Sequence, residues 1–189
     1  MNTCSPAQLK PSNVDPLAAI VQSYLDCNAR TEDRYLEYYR IQRNFADAIT
    51  KSAMAELPGG GRFSHQRLIP KSVLCAAKDA LLNVDVTQAR NFDELHRLVR
   101  NTIGPIKGVG ALMVYDTAHR IGAYLKLRPQ FVYLHAGVKS GAKALGLDYR
   151  TDKLPMSALP KAFHRLLPEQ AEDCLCIYKD ALKKIKTST

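Results

Sequence analysis

The chain lacks several features that would place it in a common class. No segment approaches the roughly 20 consecutive apolar residues that span a bilayer, and no long apolar core follows a basic start at the amino terminus. No stretch alternates apolar and polar residues with a period of two, so a sheet is not expected. Three glycines follow Pro58 without the Gly-Lys-Ser/Thr ending of a nucleotide-binding P-loop. These absences predict a helical protein of the cytoplasm, with no membrane partner.

Cysteine is present in an odd number and without the spacing of a disulfide framework. The five cysteines are Cys4, Cys27, Cys75, Cys174 and Cys176. Most of them fall within helical patterns, which predicts free thiols in a reducing compartment. Cys174 and Cys176 cannot complete a zinc or iron–sulfur site alone, because such sites take about four ligands. No metal site is therefore predicted.

The charge balance is strongly basic. The 189 residues include 27 Lys plus Arg and 18 Asp plus Glu, which gives a formal net charge of +9, and the hydrophobic content is 46%. The hydrophobic content is enough for a substantial core. The positive charge favours a polyanionic partner, above all a nucleic acid. Solubility, or an acidic protein partner, is the alternative explanation for the same charge.

Apolar residues recur at helical spacing through most of the chain, which predicts an all-α protein, a compact multi-helix bundle. We expect residues 1–12 to form a flexible tail and residues 13–189 to form a single all-helical domain, or two lobes joined near 57–63. A first helix is predicted behind a cap at 13–15, ending near Asn28.

Helix start signals recur further along the chain. The next predicted helix begins at Thr31 and continues without glycine or proline to Pro58, which would make it the longest. Others are predicted to begin at Pro70, at Asn91 and just after Gly110.

A short glycine-containing turn between two predicted helices is the most informative motif. It reads Ile106-Lys107-Gly108-Val109-Gly110, and a helix follows it to about Lys126. The two glycines allow a tight turn, while the apolar residues beside them can anchor it in a core. The amides at the start of the following helix then lie at the positive end of its dipole, where a phosphate oxygen binds well.

The motif and the apolar helix after it resemble the helix-hairpin-helix superfamily, found in DNA-repair glycosylases, polymerases and nuclease accessory domains. The resemblance covers roughly residues 92–126. It implies that backbone amides of the hairpin hold a DNA phosphate, often with a monovalent cation on nearby carbonyls. The matching positions here are Gly108, Gly110 and Ala111, with Lys107 beside them.

The chain departs from the DNA-glycosylase branch of that superfamily at its catalytic positions. Where some members have a lysine nucleophile, this chain has Ala111, Leu112 and Met113, and leucine cannot form a Schiff base. The region corresponding to the catalytic aspartate, 129–143, contains no carboxylate. These departures favour a binding protein over an enzyme, and a DNA glycosylase stays open as the alternative.

Asp116 and His135 are the alternative catalytic candidates, as an acid and a base in displaced positions. The simpler interpretation pairs Asp116 with Arg120 on the helix surface, since the two are four residues apart. In the same way, His135 is interpreted as a capping or contact residue.

A second small-residue segment follows the hairpin. Gly137 and Gly141 are four residues apart, as are Lys139 and Lys143. In one interpretation the segment starts a helix whose lysines contact a second phosphate. In the other, the glycines line a close helix contact and the lysines lie in water. The sequence favours neither.

The sequence therefore supports three hypotheses. The leading one is a DNA-binding protein that contacts the phosphate backbone largely without reading base sequence, through the hairpin and with Lys139 and Lys143 as further contacts. The second is a divergent DNA glycosylase acting in base excision, and the third is a helical protein-interaction module. The oligomeric state is left open.

Overall fold

The computed structural model describes residues 15–186, apart from the side chains of Glu32 and Lys186. The predicted tail at 1–12 lies outside this range. The α-helices of the described residues are α1 Pro16–Tyr24, α2 Arg30–Arg40, α3 Phe45–Ala53, α4 Lys71–Leu82, α5 Phe92–Ile103, α6 Ala111–Leu125, α7 Ala136–Ala144, α8 Pro168–Ile177 and α9 Lys179–Lys186. Short 3₁₀ turns lie at Ser64–Gln66, Val86–Gln88, Met156–Ala158 and Lys161–Arg165. The predicted all-α class is confirmed.

One small sheet interrupts the helical pattern, so the expectation of no sheet is wrong in this detail. Strand β1, Val132–Tyr133, pairs antiparallel with β2, Lys153–Leu154, and Val132 lies opposite Leu154. Strands of two residues are too short to show an alternating pattern in the sequence. Both Val132 and Leu154 are buried, so burial of this one pair holds the strands together.

The chain divides into two compact units. The central unit is the continuous segment Asp33–Pro129. The split unit combines the chain up to Glu32 with the chain from Gln130 onward. The Pro-Gly-Gly-Gly stretch at 57–63 lies inside the central unit.

The central unit is a helical bundle built around the hairpin. Helix α5 packs on α6, α3 packs on both α6 and α4, and α4 packs on α5. Its largest fully buried side chains are Tyr39, Leu74, Leu81, Phe92, Leu95, Ile103 and Ile121. The predicted buried face of α6 is confirmed at Val114, Ala118 and Ile121.

The split unit has its own apolar cluster. Helix α7 packs on α8 and α9, α8 packs on β1, and α1 packs on α9 and on the turn at Lys161–Arg165. The cluster includes Val21, Tyr24, Val132, Val138, Ala142, Phe163, Leu175 and Leu182. One free thiol, Cys174, is also fully buried there.

The predicted end of the first helix and the predicted start and end of the second are wrong. A five-residue π-helical turn, Leu25–Ala29, joins α1 to α2, so no break occurs near Asn28 and Thr31 lies inside α2. Helix α2 then ends at Arg40, well short of Pro58. A new helix begins behind Asn44, whose side chain accepts a hydrogen bond from the Asp47 amide. Among the described residues the longest helix is α6, with 15 residues.

Other helix starts follow the sequence signals. The Asp15 side chain accepts from the Leu17 amide, and the Asn91 side chain accepts from the Glu94 amide. Helix α4 begins directly after Pro70. Helix α6 ends at Leu125, and its C-cap residue Lys126 takes up a left-handed conformation with φ of 60°. No helix in residues 15–186 combines the length and the apolar character that a membrane span requires.

Candidate nucleic-acid interface

The hairpin between α5 and α6 is a pair of tight turns. The Ile106 amide donates to the Ile103 carbonyl at 3.0 Å, and the Val109 amide donates to the Ile106 carbonyl at 3.0 Å. Gly108 completes the second turn with φ of +98°, which side-chain-bearing residues rarely adopt. The predicted helix, turn and helix over 92–126 are confirmed as local structure.

The hairpin rests on the first turn of α4. A Cβ atom added to Gly108 would lie 3.2 Å from Cγ2 of Val73. Ile106 and Val109 are half-buried, whereas Lys107, Gly108, Gly110 and Ala111 are exposed. One side of the turn therefore packs on α4, and the other side presents its backbone and one lysine to solvent.

Helix α6 begins on that exposed side. Gly110 is its N-cap residue, no side chain caps the helix, and its first turn contains no acidic residue. The backbone N–H groups at a helix start have no partner within the helix, and the helix dipole adds partial positive charge there. This start can therefore accept an anion such as a phosphate oxygen.

Two exposed basic residues lie near the start of α4, the helix that Gly108 approaches. Lys71 is the first residue of α4, two positions before Val73. Arg67 precedes it in the connecting loop. Arg67, Lys71 and Lys107 are all exposed. Leu68, between two of them, is 93% exposed.

Lys139 and Lys143 belong to the split unit, on α7. Lys143 is exposed, and its Nζ lies 5.5 Å from the centre of the Tyr149 ring, while Lys139 is half-buried. Helix α7 starts at Ala136 with no side-chain cap. The contact of Lys139 and Lys143 with a second phosphate stays a prediction.

The close helix contact predicted for the same segment is confirmed. A Cβ on Gly141 would overlap the carbonyl oxygen of Leu175, and a Cβ on Gly137 would overlap Sγ of Cys176. Both residues of α8 therefore lie against the α7 backbone. Packing requires glycine at Gly141, where the neighbouring atoms are backbone, and favours it at Gly137, where the neighbouring atom ends a side chain.

Asp116 lies in a polar cluster of the central unit. Its Oδ2 lies 2.8 Å from Nε2 of His65, 2.9 Å from Nε2 of Gln66 and 3.5 Å from Nη2 of Arg120. The Asp116 side chain is 16% exposed and that of Arg120 is 6% exposed. The predicted pairing with Arg120 is confirmed, but its placement on the helix surface is wrong.

Burial of Arg120 results from residues far away in the sequence. Its guanidinium lies 4.4 Å from the centre of the Phe63 ring and 5.8 Å from that of Tyr39. It also donates to the Ser52 carbonyl at 3.3 Å. Together with Asp116, Arg120 therefore fastens the segment containing His65 and Gln66 onto α6.

These contacts hold the Asp116 side chain in place. One oxygen of its carboxylate accepts hydrogen bonds from three nitrogen donors. The contacts of His65 and Gln66 with Asp116 were not predicted, because these residues are 51 and 50 positions from Asp116 along the chain. No local pattern marks either residue.

His135 is buried in the split unit, with 4% exposure, and its Nε2 contacts Oε1 of Glu172. Glu172 comes from α8 and is also buried. The segment 129–143 contains no carboxylate, and the carboxylate that His135 contacts belongs to α8. His135 also occupies the N-cap position of α7 without a side-chain capping bond. The interpretation of His135 as a contact residue agrees with this position.

The carbonyl oxygens of Ile103 and Ile106 each accept one backbone amide of the hairpin. The monovalent cation that the resemblance implies stays a prediction. Among residues 15–186, no three His, Cys, Asp or Glu side chains are grouped as metal ligands.

Comparison of the chain with protein-family models, with curated proteins and with solved structures gave no match.

The pKa of His119 makes stability depend on pH. Its ring lies 5.6 Å from that of Tyr115 and 6.1 Å from that of Phe92, measured between centroids. Burial lowers its pKa from 6.5 to about 4. Between these two values the unfolded chain binds a proton that the folded chain does not, so the free energy of unfolding decreases as pH falls through this window.

Urea denaturation over this pH range checks the expectation, with His119→Gln as the comparison. The variant should lose less stability than the native chain between about pH 6.5 and about pH 4, because glutamine does not titrate. An NMR titration that places the pKa of His119 near its ordinary value would contradict the argument.

Proposed function

We propose that this protein binds DNA through the phosphate backbone, largely without reading base sequence. The observation that carries the proposal is the seating of Gly108 on Val73. That contact places Gly108 against α4, while Lys107 and the start of α6 are exposed. A single phosphate group can then accept hydrogen bonds from the backbone N–H groups at the start of α6 and from Lys107.

Exposed positive charges support the same proposal. Arg67 and Lys71 are exposed cations at the start of α4 and just before it, and the chain as a whole has a formal net charge of +9. Phosphate contacts of this kind orient a protein on a duplex and carry no sequence information directly. The exposed apolar side chain of Leu68 lies between these two cations in the sequence.

Neither catalytic candidate adds support to base excision. The Asp116 carboxylate meets three donors, and His135 is buried against Glu172. A general base needs a reachable proton on the substrate, and the buried His135 offers no such access within the split unit. DNA binding is therefore proposed without a reaction.

The test is a fluorescence-anisotropy titration of a labelled DNA duplex over a series of salt concentrations. Lys107→Gln should weaken binding roughly three- to tenfold and lower the slope of log affinity against log salt by about 0.9, because one phosphate contact is lost. The effect should be the same for duplexes of unrelated sequence.

Lys161→Gln is the matched control, since Lys161 is an exposed lysine of the split unit. It should leave the affinity and the salt slope close to the native values. Absence of DNA binding at low salt, or equal losses for the two variants, would contradict the proposal.

A further inference from the structure

A second feature of the central unit is the glycine turn between α3 and α4. The Leu57 amide donates to the Gly61 carbonyl at 3.0 Å, and Glu56 and Arg62 form a single antiparallel bridge beside it. The three glycines have φ of +82°, +95° and +83°, and a Cβ added to any of them would meet nothing within 4 Å. Backbone conformation, and not crowding, therefore requires glycine here, and the turn exposes bare backbone.

A cleft of about 370 Å³ lies beside this turn. Its lining residues are Met54, Glu56, Gly60, Gly61, Arg62 and Lys71. Sites for small molecules commonly have volumes of about 300–1,000 Å³ and combine an apolar lining with a few polar groups. This cleft has the size and the mixed lining of such a site.

The polar groups of the cleft are held in place by neighbouring residues. Oε1 of Glu56 accepts from the Tyr38 hydroxyl and lies 4.0 Å from Nζ of Lys51, whereas no described residue contacts its Oε2. Nη1 of Arg62 donates to the Ile69 carbonyl at 2.8 Å, which fixes the guanidinium. Lys71 is exposed and forms no ion pair with any described residue.

This set of groups selects the chemistry of a ligand. Lys71 and Arg62 suit a phosphate, because both are cationic donors. The open oxygen of Glu56 accepts hydrogen bonds, and a carboxylate of this kind pairs with the amino group of a base. Met54 and the glycine backbone offer a surface against which a planar ring can lie. Inorganic phosphate alone has no base whose amino group could pair with the Glu56 carboxylate.

We propose that the cleft binds a nucleoside monophosphate unit with an amino-bearing base, its phosphate toward Lys71 and Arg62 and its base edge toward Glu56. The source is either a free mononucleotide or an unpaired nucleotide of bound DNA. The second source rests on the proposed DNA binding. Lys71 lines the cleft, and Val73, two residues further along α4, contacts the hairpin.

Isothermal titration with free dGMP, dAMP, dCMP and dTMP, and with inorganic phosphate, tests the free source. The three amino-bearing nucleotides should bind more tightly than dTMP, and phosphate alone should bind weakly. Lys71→Ala should weaken dGMP binding by about tenfold or more, which is the effect of losing one charge-assisted contact. Glu56→Gln should reduce the difference in affinity between the amino-bearing nucleotides and dTMP, because an amide can both donate and accept hydrogen bonds. Lys161→Ala is the control that should change nothing.

The second source is tested with a DNA duplex carrying a one-nucleotide gap opposite guanine, compared with the intact duplex. Lys71→Ala should then lower the preference for gapped DNA, and thermal melting confirms that each variant is folded. DNA binding without any nucleotide binding or gap preference would overturn this inference and leave the proposed function intact. Nucleotide binding that Lys71→Ala weakens, without DNA binding, would support the cleft and overturn the proposed function.

Discussion

Replacing Gly141 by alanine should cost about 3 kcal/mol of the free energy of unfolding, because the new methyl group would meet backbone that cannot move aside. The added Cβ would overlap the Leu175 carbonyl oxygen and would lie 2.9 Å from its carbonyl carbon. Either α7 or α8 must shift as a whole, which loosens one of the main helix contacts of the split unit. Urea denaturation followed by circular dichroism measures the loss.

Two further glycine variants make this expectation quantitative. Gly137→Ala meets the end of the Cys176 side chain, which can rotate, so its cost should be smaller. Gly110→Ala places its methyl group in open space with φ of −104° and should cost at most about 1 kcal/mol. If Gly141→Ala were as stable as Gly110→Ala, the close contact between α7 and α8 would be wrong.

Removing the His135 imidazole should destabilise the chain by about 3–5 kcal/mol, because a large buried side chain and a buried hydrogen-bond partner are lost together. His135 and Glu172 are 4% and 6% exposed, so neither group can exchange its contact for bulk water. His135→Ala leaves a buried carboxylate with less compensation and also leaves a cavity. Thermal and urea denaturation at constant pH provide the measurement.

A double-mutant cycle separates this contact from the rest of the packing. Combining His135→Ala with Glu172→Ala should cost clearly less than the sum of the single variants, because the second change removes the stranded group. Glu172→Gln, which can still accept a hydrogen bond from the imidazole, should be the mildest of the set. Strict additivity would show that the two side chains do not interact.

Local signals in the sequence predicted much of the fold. Asp15, Pro70 and Asn91 mark helix starts through the chemistry of their own side chains, and each one lies where the structure begins a helix. The hairpin could be predicted for the same reason, since Gly108 adopts a conformation that glycine favours. Signals within a few residues were sufficient for these features.

The break between α2 and α3 was not predicted from such local signals. No glycine or proline lies between Arg40 and Asn44, so the apolar pattern ran on without an obvious end. Asn44 followed by Asp47 was the available signal, because the asparagine side chain caps the Asp47 amide. The π-helical turn at Leu25–Ala29 has no comparable mark in the sequence.

The polar contacts could be predicted only in part. A spacing of four residues correctly paired Asp116 with Arg120, because helix geometry brings such residues together. The depth of the pair depends on Phe63 and Tyr39, which packing brings from other elements. Glu172 reaches His135 across 37 residues in the same way, so the absence of a nearby carboxylate was no guide to the surroundings of this histidine.

The division into a split unit and a central unit also has a consequence for synthesis on the ribosome. The central unit, Asp33–Pro129, is continuous and can complete its core as soon as it emerges. Helix α1 is made before α9, on which it packs. Its apolar residues Ile20, Val21 and Tyr24 are buried in the finished unit, so they lack these contacts until the chain beyond Gln130 has been made. The nascent chain therefore exposes the apolar face of α1 while the central unit can already fold.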